Sequence, residues 1–585
     1  MLSVDFASQS AQLKQFLKKG KIMKIKINGK IVDANEGETI LDVATRENVF
    51  IPTLCYLKKV GATANCRMCL VEVKGKRGLV TACNNYVFDG MEVVTESDEI
   101  EKTRKTNLEL LLSNHNYNCS TCVREGECEL KTLVNIYSAD ENRFAGEKTT
   151  SEIDYSSHSI TRDNSKCILC KKCVQVCSKI QGVDAIKETN RGFKTEIACA
   201  FNRGLGESSC VGCGQCVQVC PTGALSVASE IEVVESILDN DDLIKIVAPA
   251  PAVRTVLGEF SNLPVGAFGE ALLPSVLRAV GFEKVFDVNF GADLTVVEEA
   301  EEFLEKFDSN TNLPMFTSCC PAWVSYAKKF HPEIVKNIST CKSPMMMLGA
   351  VVKGYYSKII GVDASKIAFV VVMPCTAKKS EASKLNKYGL RDVDAVISVA
   401  ELEKLIRKRN IDLKKIEPSK FDSILGESTG SGVIFGASGG VMEATLRALM
   451  HICSSDDENI EFREVRGLGS VKSAEIDLNG RRVNVAVVSG LAEAGKLIEK
   501  INSGEIKVDF VEVMACPGGC VNGGGMPIKP SIVQNYTNVV EPRAEVVYKL
   551  DNKRLARKSH QNAEVTHFIK WNKKHGEVVL HTKHQ

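Results

Sequence analysis

The sequence predicts a multi-domain α/β protein, and three observations carry that prediction. At 585 residues the chain exceeds what one hydrophobic core supports, so roughly two to four domains are expected. From about residue 243 to 550, strand-like apolar runs (LIKIVAPAP, KIAFVVVMPC, VNVAVVSG, VDFVEVMAC) alternate with helical stretches, the pattern of a largely parallel sheet. Upstream of that region, most cysteines fall in short, regularly spaced groups, which suits small domains built around metal centres.

Taken in order, residues 1–22 read as a short helical leader (AQLKQFLKKG). From Met23 the chain alternates apolar and polar residues, turns at Asn28-Gly29, alternates again and enters a helix. That is a β-hairpin signal opening a small mixed α/β domain over 23–102. Residues 103–140 form a second, helix-led unit, and the stretch to about 160 is polar and linker-like. Two similar cysteine repeats occupy 155–230, and the large α/β domain spans 240–550. The segment 551–585 is basic and His-rich, and is expected to be a surface helix or tail without chemistry.

Composition excludes little but is informative. A net charge of +1 gives no case for nucleic acid or a charged membrane surface, and no apolar run approaches a transmembrane length. The N-terminus has no signal-peptide core and no twin arginine, so a cytoplasmic location is expected.

The chain has 23 cysteines, and their tight spacing suits metal polyhedra better than long-range disulfides. Cys55, Cys66, Cys69 and Cys83 suit a [2Fe–2S] cluster, with a four-thiolate zinc site as the bland alternative. His115, Cys119, Cys122 and Cys128 provide one imidazole and three thiolates, a set that holds zinc or a [4Fe–4S] cluster. Cys167, Cys170, Cys173 and Cys177 are repeated by Cys210, Cys213, Cys216 and Cys220-Pro221. This is the two-cluster bacterial ferredoxin signature, in which the last cysteine of each run serves the other cluster.

Three further pieces lie in the α/β domain: TSCCPAW (317–323), MPCTAKKSE (373–381) and EVMACPGGCVNGGGMP (512–527). Two of them follow strand-like runs directly, and sites in open α/β sheets form beyond the carboxyl ends of strands. Four thiolates converging there could hold one cubane, with glycines allowing close approach of a bulky group.

These pieces resemble the three signature motifs of the iron-only [FeFe]-hydrogenases, and the resemblance runs from Met23 to about residue 560. The first two cysteine groups also resemble the large iron–sulfur subunit of respiratory NADH dehydrogenase, and in these families the His is a cluster ligand. The resemblance implies a monomer interconverting protons and H2 at an H-cluster, a cubane joined to a diiron subcluster carrying CO, cyanide and azadithiolate. It implies Cys320, Cys375, Cys516 and Cys520 as cubane ligands, with Cys520 bridging to the diiron part. One [2Fe–2S] and three [4Fe–4S] clusters would carry electrons. Protons would pass through Cys319, Glu299, Ser339 and Glu302, with Lys306 at the outer end where arginine is usual. Lys378 would hydrogen-bond one cyanide and Pro251 with Ala252 would line another, while Met373 and Met514 would pack on the cluster. Ferredoxin or flavodoxin is the implied electron partner, and maturation proteins would insert the diiron part.

Several positions depart from the common family pattern: Ala252 and Ala377 for Ser, Met345 and Met526 for Gln, Pro517 for His, and Ala322 for Gly. Fewer donors to an anionic cluster predict altered tuning, including catalytic bias. Cys199, Cys341 and Cys453 are expected to be plain thiols. The competing readings are an iron–sulfur subunit of a larger dehydrogenase, a sensory or assembly-type relative, and a pure electron-transfer protein. None accounts for the four cubane cysteines together with Cys319 and both glutamates.

Overall fold

A computed structural model describes residues 22–386, 389–453 and 461–584. The expected leader lies, but for Ile22, outside the described residues. Strands β1 (Ile22–Ile27) and β2 (Lys30–Asn35) form the expected hairpin. Asn28 and Gly29 both take positive φ, 49° and 84°, which gives a two-residue turn whose twist matches the strands. Helix α1 (Ile40–Arg46) follows, its start fixed by a reciprocal Thr39–Asp42 capping box. β3 (Leu70–Val73), β4 (Val80–Thr81) and β5 (Glu92–Val94) complete a five-stranded sheet of order β2-β1-β5-β3-β4.

Helices α2 (Asp98–Ser113) and α3 (Glu129–Tyr137) bracket the His115 group. The next unit contains β6 (Ile160–Arg162), α4 (Lys172–Lys179), β7 (Lys187–Thr189), β8 (Glu196–Ala198), α5 (Gln215–Val219) and β9 (Leu225–Val227). β6 pairs with β9, and β7 with β8, both antiparallel. The two cysteine repeats are also repeats in conformation. Leu169 and Lys171 have φ of 51° and 63°, and the equivalent Gly212 and Gly214 have 69° and 72°. The left-handed turns that wrap each thiol group are thus made with glycine in one repeat and with bulkier residues in the other.

The large domain departs from the expectation of one sheet. It has two. β10 (Ile244–Pro249), β11 (Lys284–Val285), β13 (Ile367–Met373) and β14 (Ala395–Ser398) form an all-parallel sheet of order β11-β10-β13-β14. β12 (Met315–Phe316), β15 (Val471–Asp477), β16 (Arg482–Ser489) and β17 (Phe510–Met514) form the other, of order β12-β17-β16-β15 with β15 antiparallel to β16. Apolar runs report burial on both faces but not which strand lies alongside, so the division was invisible in the sequence. The long helix α6 (Val288–Ser309) packs against α8 (Pro344–Val351) and α10 (Gly440–Cys453). No helix among the described residues is long and apolar enough to cross a membrane.

The C-terminal segment is also not a loose tail. Helix α11 (Val540–Lys553) leads to α12 (Ala563–His575), whose Val565 and Phe568 are fully buried. Val578 and Leu580 then enter the core around the first sheet. Composition marked the segment as basic, while its few apolar residues hold it down.

Candidate active site

The three motif pieces meet at the carboxyl ends of strands from both sheets. Cys319 and Cys320 follow β12 and precede α7 (Pro321–Phe330), which starts with proline at its first position. Cys375 follows β13 from the other sheet and precedes α9 (Ala377–Ala382). Cys516 and Cys520 follow β17. Burial raises the pKa of each of these four thiols, and the charge of neighbouring thiols adds to it at Cys375, Cys516 and Cys520. Cys375 is pushed up to about 12 by burial, then by Cys320. Four buried, mutually repelling thiols are a poor structural solution alone. They fit a polycationic iron–sulfur group, which would hold them as thiolates.

Cys319, Cys320, Cys375 and Cys520 open onto a cavity of ≈ 70 Å³. Pro251, Ala252, Met345, Met373, Phe435 and Met514 line it. Lys378 is the single charged residue among the described lining residues, and none carries a hydroxyl or amide side chain. The Lys378 ammonium donates to the Cys319 carbonyl at 3.1 Å and pairs with Glu381 at 2.8 Å. An apolar chamber with one oriented cation suits a compact anionic group that must be kept from water.

From Cys319 a buried polar line leads outward. Glu299 is fully buried, and both its carboxylate oxygens lack hydrogen-bond partners among the described residues. Burial, then the nearby Glu302 charge, pushes it up to about 8. The Ser339 hydroxyl donates to Glu302 at 2.8 Å, and Lys306 pairs with Glu302 at 2.8 Å. Burial would raise Glu302, but Lys306, the Thr340 amide and Ser339 outweigh it and hold it below the usual carboxylate range. The two glutamates, three apart on α6, therefore face opposite proton affinities at neutral pH.

Comparison with known proteins agrees with this geometry. Residues 244–524 match the C-terminal domain of the iron only hydrogenase large subunit. Residues 20–98 match a 2Fe-2S iron-sulfur cluster binding domain, and 104–143 the iron-sulfur binding region of NADH-ubiquinone oxidoreductase-G. Residues 166–224 match a 4Fe-4S dicluster domain. Iron hydrogenase 1 of Clostridium pasteurianum is 40% identical over 96% of this chain and 99% of its own.

The chain belongs to the iron-only [FeFe]-hydrogenase family. A second relative is HndD of Solidesulfovibrio fructosivorans, an NADP-reducing hydrogenase subunit, 39% identical over 92% of this chain and 94% of its own. The apo [FeFe]-hydrogenase HydA1 of Chlamydomonas reinhardtii superposes with a TM-score of 0.54 at 34% identity, covering 61% of this chain and 98% of its own.

In this hydrogenase the cysteines of each N-terminal group lie close enough to feel one another's charge. Cys55, Cys66, Cys69 and Cys83 are all buried and perturb one another's ionisation. His115 is buried with an unpartnered Nδ1, and burial lowers its pKa to about 4, as a neutral ligand requires. Cys119 and Cys128 both feel the charge of Cys122. Cys167, Cys170 and Cys173 each feel the charge of Cys220, while Cys213 and Cys216 feel that of Cys177, so the last cysteine of each run lies near the other run.

The groups are also joined in series. Thr63 bonds the Cys170 carbonyl at 3.3 Å, so the first group touches the Cys167 group. A Cβ on Gly223 would lie 2.8 Å from Cys122 Sγ, so the His115 group touches the same place. Beyond it, a Cβ on Gly214 would lie 2.4 Å from Thr376 Oγ1 and 2.9 Å from Gly524 Cα. Glycine there lets Cys213 abut the Cys375–Cys516 end of the large domain.

Three participants escaped the sequence reading. Glu381 anchors Lys378. Cys341, expected to be a plain thiol, directs its Sγ to Glu302 at 3.7 Å. Glu512 is fully buried and accepts the Gly439 and Met442 amides at 2.7 Å, fixing the start of α10 beside the cavity. Its position in motif three was the one available signal.

Proposed function

We propose that the protein reversibly reduces protons to H2 at an H-cluster held by Cys320, Cys375, Cys516 and Cys520. The observation that carries this reading is the placement of Cys319. It lines the apolar cavity on one side and begins the Glu299–Ser339–Glu302 line on the other. When bound, the H-cluster supplies an open metal position, a nearby base and the electron store. The chain supplies the rest. Cys520, with Cys320, Cys375 and Cys516, would hold the cluster, and Lys378 would hold an anionic ligand in place. Cys319 hands protons between the cavity and Glu299, which is protonated at neutral pH and can give as well as accept. Ser339 passes them to Glu302, whose charge Lys306 sustains.

Cys55, Cys66, Cys69 and Cys83 would hold a [2Fe–2S] cluster, and His115, Cys119, Cys122 and Cys128 a [4Fe–4S] cluster. Cys167, Cys170, Cys173 and Cys220 would hold another [4Fe–4S] cluster, and Cys177, Cys210, Cys213 and Cys216 a third; these groups would supply one-electron storage between the surface and the catalytic site. Ferredoxin or flavodoxin is the electron partner, maturation proteins complete the site, and the protein works as a cytoplasmic monomer. The test is H2 production from a chemically reduced mediator by matured protein, with infrared spectroscopy on the same sample. Turnover together with metal-bound CO and cyanide bands supports the reading. Bands without turnover, or neither, would sink it.

A further inference from the structure

The C-terminal segment closes over the outer end of the proton line. Lys342 N donates to the Leu580 carbonyl at 2.8 Å and Thr582 N to the Thr340 carbonyl at 2.7 Å. Cys341 and His581 thus form an antiparallel bridge, and residues 580–582 act as a strap on the loop that carries Ser339. Leu580 and Val578 pin the strap into the core, so His581 is held at a set place.

His581 Nδ1 meets Thr340 Oγ1 at 2.8 Å, and its Nε2 meets the Glu298 carboxylate at 3.1 Å. Donor atoms of His581, Cys341 and Glu302 lie within 4.8 Å of one another. The side chains of Glu302 and Lys306 are only 10% and 12% exposed, whereas that of His581 is 44% exposed. His581 also borders a solvent cleft of ≈ 710 Å³. Among these three it is the group that faces water.

Two uses of this cluster compete. As a cation site it is obstructed. Glu302 already accepts from Lys306, Ser339, the Thr340 amide and Cys341, which occupies a carboxylate's capacity. Both imidazole nitrogens are engaged, and the Lys306 ammonium would repel a metal ion. As a proton path it needs only a short step, because donor atoms of His581 and Glu302 lie within 4.8 Å of each other, a gap that one water bridges. A lysine ammonium releases its proton reluctantly at neutral pH, whereas an imidazole titrates near it.

We infer that His581 is the outermost proton carrier of this hydrogenase, exchanging protons between Glu302 and bulk water. The titratable groups beside it are Glu298 and Glu302 on α6 and Cys341 on the loop, and Lys342, Glu577 and His584 line the same cleft. The bond to Glu298 shifts the imidazole toward its protonated form against the cost of burial, which suits a group that collects protons for H2 evolution. The inference rests on the proposed hydrogenase reading.

The test uses matured full-length protein and the variants His581→Gln and His581→Ala, with H2 evolution measured against buffer concentration. Gln keeps a polar contact but carries no proton at neutral pH. Both variants are expected to retain wild-type CO and cyanide bands and lose activity several-fold at low buffer. Imidazole added as a small diffusible buffer should restore it in a saturable way. Rates equal to wild type at every buffer concentration, or a loss that imidazole does not restore, would overturn the assignment. A gain in rate would assign the strap a shielding role and overturn it too. A wild type without turnover fails the hydrogenase reading itself, a result separable from these.

Discussion

The Lys378 ammonium is held 2.8 Å from the Glu381 carboxylate, with both side chains almost out of water. Glu381 also accepts from Ser343 at 3.0 Å, so the carboxylate is fixed on two sides and the cation is aimed rather than merely neutralised. Glu381→Gln removes the counter-charge but keeps the shape. The expected result is a shift in the cyanide infrared bands and weaker retention of the diiron part. Unchanged bands would show that Lys378 needs no such anchor.

On the proposed roles, Cys319 and Cys520 would separate proton transfer from cluster retention. Cys319→Ala should leave the CO bands in place and abolish nearly all turnover, on the order of the 10²–10⁴-fold typical of a lost acid–base group. Cys520→Ala should lose the CO bands altogether. Infrared spectra paired with H2 assays distinguish the two.

Glu299 makes stability depend on pH in an unusual direction. Its folded pKa is about 8 against 4.5 for the ordinary side chain, chiefly through burial. Between those values the folded state binds the proton and the unfolded state does not, so this group makes stability fall as pH rises from about 4.5 to 8. Glu299→Gln should flatten that part of the stability–pH curve while it breaks the proton line. Denaturant titrations at several pH values measure the first effect and H2 evolution the second.

Gly214 sets the contact between the dicluster domain and the catalytic domain. In Gly214→Ala the new methyl must displace Thr376 or the Gly524 backbone at a φ of 72°, an overpacking cost of roughly 1–3 kcal/mol. The thermal transition should drop. Turnover from an external electron donor should fall more than H2/D2O exchange, which draws no electrons through the wire.

The cavity wall carries no hydroxyl among the described lining residues, with Ala252 on it and Ala377 buried beside Cys375. The double variant Ala252→Ser/Ala377→Ser restores two donors to an anionic cluster. Protein-film voltammetry across the H+/H2 potential should show a changed ratio of oxidation to evolution currents. Identical ratios would mean that these two positions do not set the bias.

Cysteine spacing was sufficient to read the accessory centres, because a cluster a few ångströms wide needs ligands close in sequence or at a fixed offset. The approach of Cys177 and Cys220 to the opposite repeat was expected for the same reason. The hairpin at Asn28-Gly29 was equally local, since the turn depends on residues that tolerate positive φ. The division of the large domain was not legible, because Val370 and Val487 look alike as buried strand residues yet sit in different sheets. The consequence is chemical: Cys375 approaches the cavity from one sheet and Cys320 and Cys520 from the other.

The sequence by itself determined the family and the kinds of cluster, because thiolates and imidazoles at short spacing carry that information in their own neighbourhoods. Only the tertiary structure decided what surrounds them. Glu381 beneath Lys378, Cys341 against Glu302, Gly214 at the domain contact and His581 at the mouth of the proton line are settled by packing and by the need to satisfy buried polar groups. Most of these pairings join residues far apart in the chain, and neither cause leaves a local pattern in it.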